Sequence, residues 1–139
     1  VLNRNLLLTG KNSFQYKFKY VKNNKNWHDA QKYCRSNYVD LATITDDTEN
    51  THLAYEIERE YDSEAWIGLS KKQGLWQWSD QTSAVSWSSI TWQSGQPDNV
   101  NGNEECACAG TEGQMADDTC STSRAFYSTT TVFQPRHKP

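Results

Sequence analysis

An α+β domain with antiparallel sheets is the fold class this chain predicts, on three observations. An alternating aromatic and polar run comes first, two stretches with helical spacing follow, and several short strand-like segments close the chain. Elements grouped in runs like this build an antiparallel sheet with helices set beside it, whereas a parallel sheet needs strand and helix to alternate.

At 139 residues the chain has the size of one domain, taken here as 1–139, and can bury a core unaided. Residues 1–13 carry little pattern and are expected to form an N-terminal arm. Phe14–Tyr20 alternates without a break, which predicts a half-buried strand. Asn23-Asn24-Lys25-Asn26 reads as a turn, with Asn26 as the N-cap of a helix. Over Trp27–Ser36 the apolar positions Trp27, Ala30, Tyr33 and Cys34 share one helical face, so Cys34 is expected inside.

Val39–Ile44 predicts a short connection or strand. Asp46 and Glu49 have capping-box spacing, and Leu53, Ile57 and Tyr61 recur every four residues, predicting a helix over about 47–60. Ala65–Leu69 is a short apolar strand, and Leu75–Asp80 alternates again as a hairpin arm. Residues 81–103 are dominated by Ser, Thr, Gln, Asn and Gly and predict a long ordered loop, a feature that in compact domains usually carries function. Strands are expected at Glu105–Ala109 and Arg124–Phe133.

Composition excludes several classes of function. The net charge is −3, and Lys and Arg form no stripe interleaved with aromatics, so no nucleic-acid partner is expected. No apolar run approaches the roughly 18 residues of a membrane span, so no membrane insertion is expected either. Leu6-Leu7-Leu8 is too short for a leader core, and the chain reads as already processed and secreted. There is no Asn-X-Ser/Thr acceptor. The mean hydropathy of −0.90 comes from uncharged polar residues more than from charge, which favours loops over a helical bundle. Four cysteines, Cys34, Cys106, Cys108 and Cys120, suit a disulfide framework in an oxidising compartment. A zinc site is disfavoured, because Cys106-X-Cys108 lacks the usual gap.

An enzyme is not expected. His28, His52 and His137 are dispersed without metal-ligand spacing, and no nucleophile-elbow pattern occurs. His28 and His52 read as solvated helix residues, Asp46-Asp47 as capping, and Glu56, Glu58, Glu60 and Asp62 as a solvated helix face. The chemistry concentrates instead in Gly95-Gln96-Pro97-Asp98-Asn99 and the Glu104-Glu105-Cys106 behind it, which set side-chain oxygens around a proline. That pattern suits a hard cation or a sugar diol. In Met115-Ala116-Asp117-Asp118-Thr119-Cys120 an alanine stands where another oxygen is expected.

Several features then line up in order. They are Trp27-X-X-Ala30-X-X-Tyr33-Cys34, Asp40–Ile44, Trp66-Ile67-Gly68-Leu69, Trp76-X-Trp78-Ser79-Asp80, Trp92-X-X-Gly95 running into Gln96-Pro97-Asp98-Asn99, Glu104-Glu105-Cys106 and Asp117-X-X-Cys120. The set resembles the C-type lectin-like domain in its short form, over about residues 14–134. The resemblance implies two helices, antiparallel sheets and a long ligand-binding loop bent at a cis proline. It implies a sugar site at Gln96, Asp98, Asn99, Glu104 and Asp117, with calcium held by Gln96, Asp98, Glu104 and Asp117.

The order Gln-Pro-Asp resembles the galactose type. Exchanging acid and amide reverses which side of the site donates hydrogen bonds, and so which hydroxyl geometry fits. Three departures bear on this. Ala116 replaces an asparagine ligand, so calcium is expected to bind weakly or not at all. No ring follows Gln-Pro-Asp to stack on the sugar, which leaves Trp87 or Trp92, the latter expected in the core. An accessory calcium site is excluded by Lys71-Lys72.

Cys106–Cys120 fits one family disulfide; its closed loop of 14 residues restrains the unfolded chain by roughly 3 kcal/mol. The family's C-terminal cysteine is missing, and Cys34–Cys108 is expected as a replacement bond, the alternative being a link between chains. The resemblance thus implies a secreted lectin of the fish mucus or serum kind, binding galactose-containing glycans and microbial surface sugars as a homo-oligomer. The alternative is the same fold used as a protein- or ice-binding module.

Overall fold

A computed structural model describes residues 18–60, 64–81 and 83–130. The expected arm over 1–13, the first residues of the predicted N-terminal strand, Tyr61, Asp62 and His137 lie outside them. The elements run β1 (Phe18–Lys25), α1 (Trp27–Asn37), β2 (Asp40–Leu41), α2 (Asp47–Glu60), β3 (Ala65–Lys72), β4 (Leu75–Trp78), β5 (Cys106–Ala109), β6 (Met115–Asp118) and β7 (Arg124–Thr129). One sheet joins the strands in the order β1-β7-β3-β5-β6, with β2 added to β7 and β4 to β3. All pairings are antiparallel except β3 with β7. The predicted α+β class and the two helices are present.

Local chemistry sets the helix starts. The Asn26 side chain accepts the Asp29 N–H at 2.8 Å, a cap worth about 1 kcal/mol. Asp46 accepts the Glu49 N–H at 2.8 Å. Glu49 reaches back one residue further than a capping box requires, accepting from the Thr45 N–H at 2.7 Å. The predicted turn at Asn23–Lys25 belongs instead to β1, whose pairing with β7 shifts register between Val21 and Lys25. That irregularity lets a polar turn-like stretch remain in the sheet. β6 leaves no mark in the sequence, because Met-Ala-Asp-Asp has little strand preference of its own; its pairing with β5 makes it a strand.

The period of two along the strands divides the core. Ala65, Ile67 and Leu69 of β3, Ala107 and Ala109 of β5, Met115 of β6 and Tyr127 of β7 face one cluster with Leu53 and Ile57 of α2. Trp66, Cys106, Cys108, Ala116 and Phe126 face the other, against Trp27, Ala30 and Cys34 of α1. Gly68 is required where the chain crosses β3: a Cβ there would lie 2.8 Å from the Ala42 carbonyl oxygen, which accepts the Gly68 N–H at 2.8 Å. Glu56 departs from the expected solvated face. It is buried on the Leu53–Ile57 side of α2, with Arg59 Nε at 3.4 Å from its carboxylate. His52 is half-buried.

Cys106 and Cys120 form the expected disulfide. The expected Cys34–Cys108 bond does not form; both are free, buried thiols. Cys108 stands beside Trp66 in register, and Trp66 beside Phe126, so two large side chains separate β5 from the ground beneath α1. Cys34 hydrogen-bonds Ser128 near Asp40, whereas Cys108 Sγ faces Ala116 O at 3.6 Å and Glu64 Oε1 at 3.7 Å. Neither thiol has surface for a bond to a second chain, since each is 0% exposed. Burial is the main cause that raises both thiols, Cys34 to about 11 and Cys108 beyond it.

Because the folded state prefers the protonated thiols, their contribution is complete below the ordinary thiol value. It is lost as pH rises from there toward the folded values. Native protein at pH 8 is expected to resist alkylation by iodoacetamide at both positions and to take up two labels when unfolded under non-reducing conditions. Labelling of the native state at the unfolded rate would contradict this burial.

Candidate functional site: the Gln96–Glu104 loop

The segment between β4 and β5 crosses the surface and is ordered by single turns at Trp87–Ser89 and Val100–Gly102. Its start is fixed to the core: Trp92 bridges to Met115, the Gln93 N–H donates to Met115 O at 2.8 Å, and the Gln93 side chain donates to Glu64 at 2.6 Å. Trp92, expected in the core, is only half-buried and packs against its edge beside Trp76, ring centroids 5.4 Å apart. Trp87 is 48% exposed. The Gln96–Pro97 peptide is cis.

One constellation holds the five residues singled out in the sequence. Asp117, buried on β6, accepts two loop N–H groups, that of Asp98 at 3.0 Å and that of Asn99 at 2.7 Å. Asn99 takes the left-handed conformation, φ 49°, which asparagine tolerates better than most residues. Its side-chain oxygen accepts the Glu104 N–H at 3.0 Å. Glu104 in turn accepts the Val100 N–H at 3.1 Å, and the Gln96 amide donates to Asp98 at 3.1 Å. The Val100 N–H is the member sequence reading missed, since a backbone donor leaves no mark on residue identity.

Three carboxylates, those of Asp98, Glu104 and Asp117, bring one oxygen each to within 4.8 Å of one another. Their electrostatics differ. The hydrogen bond with Glu104 is the chief cause holding Asp98 below the usual carboxylate value. Desolvation first, and the same hydrogen bond second, push Glu104 up. As pH falls, Glu104 takes the proton before Asp98.

The donor set matches calcium in kind. Three carboxylates and the inward Gln96 Oε1, which has no partner among the described residues, suit a hard, oxygen-seeking cation. One oxygen from each gives four of the roughly six to eight that calcium takes, and second carboxylate oxygens, carbonyls or water would have to complete the shell. Ala116 turns its methyl group into the cluster with Cys108 and Trp66 and adds no side-chain oxygen. Asp118 does not substitute, because it binds Arg124, whose Nε lies at 2.9 Å. The Lys71 ammonium lies over the Trp76 ring at 5.4 Å, and Lys72 is exposed, which leaves two cations where the accessory site would need acids.

Fold and loop together define a domain built for recognition on a long loop. The Lectin C-type domain model matches residues 23–127, and the chain belongs to that family of carbohydrate-recognition folds. A perlucin-like protein of Mytilus galloprovincialis is 41% identical over 86 residues, covering 59% of this chain and 53% of that one. A C-type lectin of Cerberus rynchops is 38% identical over 88 residues, covering 59% and 54%. The chain spans about half the length of these relatives.

Among solved structures, human lithostathine superposes with a TM-score of 0.71 at 24% identity, covering 86% of this chain and 84% of its own. The C-type lectin CEL-I of Cucumaria echinata gives 0.66 at 23%, covering 79% and 86%. A calcium-independent type II antifreeze protein gives 0.69 at 21%, covering 84% and 86%. At these identities the structures share the fold. No helix among the described residues is long and apolar enough to cross a membrane.

Proposed function

We propose that this chain is a secreted lectin that binds galactose- or lactose-type sugars through Gln96, Asp98, Asn99, Glu104 and Asp117, with calcium contributing weakly or not at all. The observation that carries this is the double grip of Asp117 on the Asp98 and Asn99 N–H groups. With the Asn99–Glu104 and Val100–Glu104 bonds, it ties the loop to β6 and to itself. The exposed Asp98 and Asn99 then stand ready to bond sugar hydroxyls, with the Gln-then-Asp order favouring the galactose arrangement. Calcium, where bound, supplies a Lewis-acidic partner for vicinal hydroxyls; Asp98, Glu104, Asp117 and Gln96 are the residues to hold it.

Such sites are shallow and weak, and agglutination of microbial surface sugars gains from several sites acting together, so a secreted homo-oligomer fits this role. The Cys106–Cys120 disulfide suits the oxidising compartment that secretion implies.

Retention on immobilised lactose, with and without a chelator, tests the reading. Equal retention in both conditions is expected. Retention only with calcium would show that Ala116 leaves a working ion site. Failure to bind any sugar would favour the second reading, a lectin-like fold serving as a protein- or ice-binding module, which the missing oxygen at Ala116 supports.

A further inference from the structure

A cavity of about 450 Å³ opens where the first turns of α1 meet the β3–β4 hairpin and the start of β5. It falls within the roughly 300–1,000 Å³ of ligand pockets. None of Gln96, Asp98, Asn99, Glu104 and Asp117 lines it. Strand register tells which side chains reach it. Ser70 stands opposite Gln77 of β4 and Cys106 of β5, and Cys106 faces the cluster beneath α1. Lys72, two residues beyond Ser70, shares that face and lines the groove. Lys71 and Trp78 take the other face of the hairpin, where the Lys71 ammonium lies 5.4 Å from the Trp76 ring centre. Trp27 and Trp78 border the groove but are 3% and 0% exposed, so neither presents a ring for stacking.

The groove has cations on both banks. On the hairpin side, Lys72 is exposed and has no carboxylate or hydrogen-bond partner among the described residues. On the helix side, His28 and Gln31 line the groove. Lys32, a neighbour of His28 at i,i+4, is exposed beside them. Arg35 closes one end, donating to Ser79 O at 2.7 Å with its Nε 3.3 Å from Asp40, so its charge is already matched. Glu105 is the one acid lining the groove among the described residues. The whole chain carries −3, yet residues 18–37 hold Lys19, Lys22, Lys25, Lys32 and Arg35 against Asp29 alone, a local +4 (five minus one).

Amides fill the space between the charges. Gln73, Gln77 and Gln81 line the hairpin bank. Gln73 has φ 53° and Gln81 φ 61°, left-handed positions that long side chains seldom take and that cluster at binding sites. An amide both donates and accepts, as a sugar hydroxyl does, and a lysine meets a sulfate or carboxylate as a point charge. With its indoles covered, the groove has no open ring on which a nucleic-acid base could stack. Charge for an anion and amides for hydroxyls, without an apolar face, together suit an acidic saccharide.

We infer that the groove between α1 and the β3–β4 hairpin binds an acidic polysaccharide, a chain bearing sulfate or carboxylate groups, with Lys32 and Lys72 gripping it from the two banks. This goes beyond the lectin reading of the Gln96–Glu104 loop and does not depend on the loop's being active.

The test titrates the protein calorimetrically with heparin, hyaluronan and dextran in about 0.15 M salt, where exposed charges more than about 8 Å apart are largely screened. Heparin carries sulfates and carboxylates, hyaluronan carboxylates alone, and dextran no charge. Wild type is compared with a groove variant (Lys32→Gln with Lys72→Gln), a charge-matched control on β1 (Lys19→Gln with Lys22→Gln) and a loop variant (Gln96→Ala with Asp98→Asn). All four lysines are exposed, so the fold is expected to survive both lysine pairs.

Wild type is expected to bind heparin or hyaluronan and not dextran, and the choice between the first two tells sulfate from carboxylate. The groove variant should weaken that binding by about tenfold or more, and the control by no more than about threefold. The loop variant and Lys72→Arg should retain it. Binding of neither acidic polymer overturns the inference. Equal weakening by the two lysine pairs also overturns it, since diffuse charge would then suffice. Loss in the loop variant overturns it by moving the anion to the loop. Failure to retain lactose with heparin or hyaluronan binding intact removes the loop reading and leaves the groove in place.

Discussion

Replacing Trp66 by alanine is expected to destabilise the domain severely, more than the loss of any cap or surface ion pair. Trp66 is fully buried at the point where three strands converge: it pairs with Cys108 of β5 on one side and Phe126 of β7 on the other. Its indole N–H reaches both the Lys25 carbonyl at 3.0 Å and the Thr122 carbonyl at 3.2 Å, tying the end of β1 to the approach to β7. The Arg124 guanidinium lies 5.6 Å from its ring centre.

Truncating a buried tryptophan costs about 3–5 kcal/mol, against total stabilities of about 5–15 kcal/mol for domains. For a chain of this size that corresponds to a fall in melting temperature of roughly 10 °C or more. Trp66→Phe keeps most of the ring and loses the shared N–H, and should cost about 1 kcal/mol. Thermal melts followed by circular dichroism separate the two. Equal shifts for the two variants would mean that the hydrogen bonds, and not the filled volume, carry the role of Trp66.

Trp66 also shows how far sequence reading goes. The apolar run Ala65-Trp66-Ile67-Gly68-Leu69 is a local signal, and it correctly marks a strand in the core. The N-cap at Asn26 and the helix carrying Leu53 and Ile57 are equally local and equally legible. The loop residues could be gathered in advance because a proline between two polar side chains, followed by Glu104, is a compact pattern that resembles a known family.

What escaped the sequence depends on which elements become neighbours. Two-residue spacing correctly puts Cys106 and Cys108 on one face. It says nothing of the order β7-β3-β5, which sets Trp66 and Phe126 between Cys108 and the helix bearing Cys34. Glu56 reads as solvated by charge, and is buried because the apolar stripe of α2 is wider than its spacing of four suggests. Gln73 and Gln81 carry no signal as residues; they stand out only once their backbone conformation is known.

Asp117→Ala is expected to abolish lactose retention while leaving the fold in place. Asp117 is 5% exposed on β6 and spends both carboxylate oxygens on the loop, one on each of two successive N–H groups. Charged acceptors make hydrogen bonds of about 1.5–3 kcal/mol. Here the freed donors belong to exposed residues, Asp98 and Asn99, and water replaces much of what is lost. Global stability should therefore change little, with the melting temperature falling by only a few degrees.

The loop loses its anchor to the sheet. Misplacing Asp98 and Asn99 by even an ångström would cost most of a weak sugar affinity, by about tenfold or more. Asp117→Asn retains one acceptor and should fall between the two. Hydrogen exchange supplies a readout independent of any sugar: the Asp98 and Asn99 amides are expected to be protected in wild type and to exchange freely in Asp117→Ala, with the β3 and β7 amides unchanged. Protection that persists in the variant would mean that the Asn99–Glu104 and Val100–Glu104 bonds hold the loop without Asp117, and the site would have to be rebuilt around Glu104.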